Sequence, residues 1–175
     1  GLRASLQVAD CEVNCAAACI ADRAHQMPLI TSGQYITALL DLVRGEKIDL
    51  LIPLIDSELV ILSEARDQFA REGCGVIISS PEVVRTCRDK LSTFEFLTRH
   101  QIDTPQTWTP EQLLRRDRHQ YPYFLKPRFG SASRGNFILK SQGDMEAFVP
   151  RVPDAIIQEF VEGVEHTLDV YTGYD

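Results

Sequence analysis

The sequence predicts an α/β chain in two parts: a parallel layer of alternating strands and helices, then an α+β unit with antiparallel pairing. Three observations carry this. Up to about residue 80, short apolar runs alternate with amphipathic helical segments, the order expected when helices cover a parallel sheet. Near Ile102 the texture changes: Thr104-Pro105 breaks the chain, and short strands with polar loops follow. The chain has 175 residues, 44% hydrophobic and 25% charged, which is globular usage and enough for one domain or two small ones. The boundary is expected between residues 80 and 90, giving segments 1–84 and 85–175.

Residues 4–9 are expected to form the first strand, ending at Asp10, and the Cys/Ala-rich stretch 11–24 has helical or loop character. Thr31 and Gln34 have capping-box spacing ahead of an amphipathic run over 35–43, with Gly45 placed to end that helix. Residues 48–55 (IDLLIPLI) are almost continuously apolar, as expected of a strand buried on both faces. Asp56 and Ser57 can cap a helix running to about Arg71 and closed by Gly73. Residues 76–78 read as another buried strand, after which Ser80 and Pro81 open a helix as N-cap and N1.

In the second part, residues 109–112 (TPEQ) start a short capped helix with a charged exit over 115–119. Strands are expected over 123–126 and 136–140 around a polar loop. A helix over 144–148, a strand over 155–161 and a last strand over 166–172 complete the series.

Charge and composition remove several functions. Lys plus Arg is 18 and Asp plus Glu is 25, a net charge of −7, which argues against nucleic acid or an anionic membrane as partner while leaving room for a local basic pocket. No apolar run approaches the ~20 residues of a membrane span. The five cysteines make no tidy disulfide framework, so reduced thiols in the cytoplasm are expected. Cys11, Cys15 and Cys19 recur every fourth residue and would share a helix face, but they match no known cluster spacing. Asp10 is expected in a capping or turn role, and residues 56–58 (DSE) in helix capping or, at a strand end, in ligand contact.

The most informative segment is 121–135 (YPYFLKPRFGSASRG), where a lysine ends an apolar strand and a Gly/Ser loop with two arginines follows. Small residues let backbone N–H groups approach an oxyanion closely. Lys126 supplies a compact charge, while Arg128 and Arg134 could grip phosphate in a fork. The loop has G-x-x-x-x-G spacing but Asn136-Phe137 stands where a P-loop needs Lys-Ser/Thr. No G-x-G-x-x-G occurs, which leaves a nicotinamide-linked oxidoreductase resting on the first half's pattern alone. Residues 155–163 (AIIQEFVEG) then form an apolar strand that turns polar and reaches a glycine.

Asp89-Lys90 on a helix, the strand and loop from Lys126 to Gly135, and the segment from Gln158 to Glu165 resemble, in this order, the ATP-grasp superfamily. The resemblance is nearest to carbamoyl-phosphate-synthase large subunits, and more distant to biotin carboxylase and D-alanine–D-alanine ligase. It implies a Rossmann-like preATP-grasp domain over 1–84, its first βα unit expected ahead of Arg3, and an ATP-grasp domain over 85–175, incomplete at its C-terminus. It also implies an ATP-dependent carbon–nitrogen ligase in which a carboxylate is activated as an acyl phosphate and displaced by an amine or similar nucleophile. Lys90 and Lys126 would contact ATP phosphates as the catalytic lysines. Arg128 and the loop with Gly130, Ser131, Ser133, Arg134 and Gly135 would cover the phosphates. Gln158, Glu159, Phe160 and Val161 would line the adenine edge, and Glu165 would accept from ribose hydroxyls. Magnesium ligands are implied beyond residue 175, since Asp169 and Asp175 do not occupy the metal-ligand strands. The partners implied are ATP and a small carboxylate, with a homodimer as the expected assembly. A non-catalytic nucleotide-binding or regulatory domain is the alternative.

Overall fold

The computed structural model describes residues 4–12, 14–131, 133–168 and 170. Two compact units divide it, Gly1–Arg85 and Thr86–Asp175.

In the first unit, strand β1 (Gln7–Asp10) pairs in parallel with β2 (Arg23–Gln26), and β3 (Leu50–Leu51) with β4 (Gly75–Val76). Helices α1 (Tyr35–Glu46) and α2 (Leu59–Arg71) supply most of a core formed by Leu39, Val43, Leu62, Ala65, Phe69, Cys74 and Val76. Those apolar positions fall on one face of each helix, and burying that face is what holds a short helix in place.

Several expectations are corrected here. The stretch 11–24 ends in a strand, because Arg23–Gln26 lies against β1 despite its polar residues. Cys11 and Cys15 precede a four-residue 3-10 turn, Ala16–Cys19, rather than lining one helix face with Cys19. The Thr31/Gln34 capping box is not formed: Gln34 is itself helical, and Ser32 Oγ accepts from the Gln34 N–H at 3.2 Å. Gly45 lies inside α1, whose end is made by Lys47 in the left-handed region at φ 55°. Residues 48–55 contribute only the two-residue β3, and Leu54 is 85% exposed. Pro53 has no N–H to give a ladder, so the run turns away after Leu51.

Glu58 explains that turn. Its carboxylate is buried, accepts from the backbone N–H groups of Leu54 and Ile55 at 3.0 and 3.1 Å, and accepts from the Tyr35 hydroxyl at 2.6 Å. Burial first, and then this acid, push the Tyr35 phenol well above its ordinary range. The DSE segment therefore fixes a loop onto α1. Asp10 likewise serves a turn, accepting from the Glu12 N–H at 2.8 Å.

Helix α3 (Pro81–Arg88) starts as expected, with Ser80 Oγ accepting from the Val83 N–H at 3.4 Å. The second unit begins from α4 (Lys90–Arg99), capped by Asp89. It continues through β5 (Thr107–Trp108), α5 (Pro110–Leu114), β6 (Tyr123–Pro127), β7 (Phe137–Leu139), α6 (Gln142–Phe148) and β8 (Ala155–Glu159). The four strands form one antiparallel sheet in the order β5-β8-β6-β7. The Thr109/Gln112 capping box closes as its spacing predicts, and Ser141 caps α6 two residues earlier than expected.

Alternation sorts β6 into two faces. Tyr123 and Leu125 enter a core with Leu113, Leu139, Met145, Val152, Ala155 and Ile157. Phe124 and Lys126 take the opposite face, in register with Gln158 and Ile156 of β8. The strand expected over 155–161 stops at Glu159, and residues 166–168 and 170 form no strand; no neighbouring strand among the described residues offers them a ladder. The rest of that expected strand, Asp169, Tyr171 and Thr172, lies outside the described residues, as do Asp175 and Ala132.

Candidate functional site

The chemistry singled out in the sequence falls in the second unit, where β6 delivers Lys126 to the sheet face away from the core. Its side chain is half-buried, with the ammonium 5.6 Å from the centre of the Phe124 ring. Burial, and after it the charge of Lys90, hold the Lys126 ammonium below the ordinary lysine range, and no carboxylate among the described residues offsets them. A half-buried cation beside a second cation is costly unless an anion joins them.

Lys90 comes from the first turn of α4. Its Nζ donates to the Gly130 carbonyl at 3.0 Å and to the Arg128 carbonyl at 3.4 Å, and its backbone N–H donates to the same Arg128 carbonyl at 3.3 Å. The helix thereby meets the beginning of the glycine loop. In that loop Gly130, Ser133 and Gly135 have φ of 133°, 54° and 75°. Such left-handed residues are what anion-cradling backbone nests use. Gly135 is further restricted by space, because a Cβ there would meet Pro127 Cγ at 3.3 Å. Ser131, Ser133 and Arg134 are exposed.

Arg128 is placed differently from the fork offered to phosphate in the sequence. Its Nε donates to Asp89 Oδ1 at 2.7 Å and its Nη2 to Asp89 Oδ2 at 2.5 Å. Asp89 also accepts from the N–H groups of Leu91 and Ser92 and from Ser92 Oγ. Burial alone would raise the Asp89 carboxyl, but the bonds from Arg128, Ser92 and Leu91 outweigh it and bring it down to about 2. Sequence reasoning missed this pair. The available signal was the D-K-L-S spacing, which marks Asp89 as an N-cap.

On β8, Gln158 Nε2 donates to Thr107 Oγ1 at 2.7 Å, and Thr107 Oγ1 donates to the Pro105 carbonyl at 3.0 Å. The Glu159 N–H donates to the Gln106 carbonyl at 2.8 Å, and the Glu159 carboxylate accepts from the Gln106 N–H at 3.4 Å. Phe160, Val161 and Glu165 lie past the strand end, with Val161 and Glu165 exposed. The structure thus joins Lys90, Lys126, Arg128 and Gly130 into one constellation and places Gln158 on the Lys126 face of the sheet. Among the described residues, no group of three or more His, Cys, Asp or Glu is placed to hold a metal ion, and no helix is long and apolar enough to cross a membrane.

Comparison with known proteins agrees with this layout. Residues 3–77 match the family model described as PylC-like, N-terminal domain, and residues 87–174 match the ATP-grasp domain model. A carbamoyl-phosphate synthase of Methanobrevibacter smithii is 26% identical over 140 residues, covering 75% of this chain and 37% of the relative. A 3-methyl-D-ornithine–L-lysine ligase of Methanosarcina barkeri is 29% identical over 128 residues, covering 72% of this chain and 31% of the relative. Among solved structures, the biotin carboxylase domain of the Hydrogenobacter thermophilus 2-oxoglutarate carboxylase, a dimer with MgADP, ADP and bicarbonate, superposes with a TM-score of 0.64. It is 14% identical, so the likeness is one of fold, and it covers 91% of this chain and 45% of that one. The chain spans less than half the length of each of these proteins. With half of its residues matched by the ATP-grasp domain model, over the segment that carries both lysines and the glycine loop, the chain belongs to the ATP-grasp family.

Proposed function

We propose that this chain supplies the phosphate-binding half of an ATP-grasp ligase, carbamoyl-phosphate-synthase-like in its reaction. ATP there activates a small carboxylate as an acyl phosphate, which an amine or similar nucleophile displaces. The observation that carries the reading is Lys126: half-buried, close to Lys90, and with its ammonium shifted by burial and by that neighbouring charge, no acid among the described residues offsetting them. This donor set fits a polyphosphate, whose negative charge would compensate the Lys126 ammonium and reach Lys90 beside it.

In this reading Lys90 and Lys126 hold the phosphates and neutralise charge as the γ-phosphoryl group leaves. Gly130, Ser131, Ser133, Arg134 and Gly135 fold over the phosphates and exclude water. Gln158, Glu159, Phe160 and Val161 border the adenine, and Glu165 accepts from the ribose hydroxyls. Residues 1–84 act as the preATP-grasp domain. In this reading no residue of this chain is assigned to magnesium.

Calorimetric titration of the chain with ATP and with adenosine tests the reading. ATP is expected to bind more tightly than adenosine, with an affinity that falls as salt is raised. Equal affinities for the two would remove the phosphate site. The pH dependence has a definite sign. Because the Lys126 ammonium is held below the ordinary lysine range, it loses its proton earlier on the alkaline side. ATP affinity should therefore decline before pH reaches the ordinary lysine value, and Lys126→Met should abolish that early decline. A profile that stays flat up to the ordinary lysine range would contradict it.

A further inference from the structure

We propose that Asp89 and Arg128 form a positioning latch: their ion pair fastens the N-terminus of α4 to the end of β6 and so sets Lys90 against the glycine loop, with Arg128 acting through Lys90 rather than on phosphate. The proposal rests on the ATP reading for its functional consequence. Its geometry stands independently.

The contacts around the pair are reciprocal. Asp89 caps α4 through the N–H groups of Leu91 and Ser92 while its two oxygens take both prongs of Arg128. The backbone of Arg128 answers, because its carbonyl accepts from the Lys90 N–H and from Lys90 Nζ. Arg128 is itself anchored from β8's approach, its N–H donating to the Asp154 carbonyl at 2.8 Å. Lys90 Nζ then reaches the Gly130 carbonyl, two residues beyond the latch. A lysine side chain is long and loses much freedom when fixed. Holding its backbone at both the helix cap and the strand end reduces the number of places its ammonium can go, which is the pre-organisation a charged site requires.

Electrostatics makes the idea separable from the alternative. An acid beside an anion site repels the anion, so its removal should tighten ATP binding if Asp89 acts only through space. A latch predicts the opposite sign. Likewise, a direct phosphate ligand at position 128 would use the guanidinium fork, yet that fork is bound to Asp89 in a paired, charge-assisted geometry.

The test uses Asp89→Asn, Arg128→Lys and the double variant in the full chain. Asparagine keeps an oxygen for the Leu91 and Ser92 N–H groups, so α4 remains capped while the ion pair is lost. Both single variants are expected to weaken ATP binding about tenfold, with the double variant no worse than either, as for partners in one interaction. Adenosine affinity should not change. Lysine acylation followed by mass spectrometry gives a ligand-free reading: Lys90 should become several-fold more reactive relative to the exposed Lys47 and Lys140. An Asp89→Asn variant that binds ATP as tightly as the parent chain or more tightly overturns the latch. If Arg128→Lys alone weakens binding, the arginine contacts phosphate directly and the latch also falls. A parent chain that prefers ATP no more than adenosine ends the ATP reading instead, and Lys90 reactivity then decides the latch, raised reactivity sustaining it and unchanged reactivity overturning it.

Discussion

Lys126→Met should weaken ATP binding by roughly 30- to 100-fold, the loss expected for a charge-assisted contact in a partly desolvated site. The same substitution should leave the chain as stable as before or more stable. The two signs differ because the wild-type ammonium is half-buried beside Lys90, with no carboxylate among the described residues to compensate it. In the free protein that arrangement costs desolvation and like-charge repulsion; in the complex a polyphosphate repays both. Methionine keeps an unbranched stem against Phe124 and Ile156, so packing on that face of the sheet is retained. Lys126→Ala would lose the stem as well and confuse the two effects. Calorimetry for affinity and a thermal melt for stability separate them. A methionine variant with parental affinity would remove Lys126 from the phosphate site, whatever the melt shows.

How far the sequence was legible depends on the range of the interactions involved. The Thr109-Pro110-Glu111-Gln112 box and the Ser80-Pro81 start are local chemistry, complete within four residues, and both form as their spacing predicts. The Thr31/Gln34 pair has equally good spacing and fails, because Ser32 supplies the acceptor and Gln34 enters the helical region. Strand lengths were least readable. Arg23–Gln26 has no apolar pattern and is a strand only because β1 lies beside it, whereas residues 48–55 are apolar and are mostly not strand, since Pro53 and the Glu58 staple bend them.

The site shows the same division. Lys126 and the loop were visible because the strand, lysine and glycines are contiguous. Their sheet face follows from simple alternation along β6. The Asp89–Arg128 pair joins positions 39 residues apart, and only the packing of α4 against β6 could reveal that the arginine is already engaged. The Gln158 amide is likewise held by a distant partner, Thr107, across the β5–β8 pair. Neither partner is signalled by residue type.

Leu125→Ala should cost about 3 kcal/mol of stability, within the 2–5 kcal/mol span for a large-to-small change at a sealed core site. Leu125 is fully buried, at 0% exposure, and lies on a central strand with β8 on one side and β7 on the other. Leu139, Ile157 and Leu113 are sealed in the same cluster. Neighbours held by ladders on both sides can collapse only partly into the vacated space, so a cavity term adds to the lost transfer energy. Leu125→Met preserves volume and should cost less than about 1.5 kcal/mol. Because Leu125 and Lys126 point to opposite faces, the alanine variant should still bind ATP near parental affinity at temperatures where it remains folded. Denaturant unfolding followed by hydrogen exchange checks this, with the protection loss expected in β6, β7 and β8. A cost below 1 kcal/mol would mean that this core is not packed as the structure shows, and an affinity loss without unfolding would mean that the two faces of β6 are mechanically coupled.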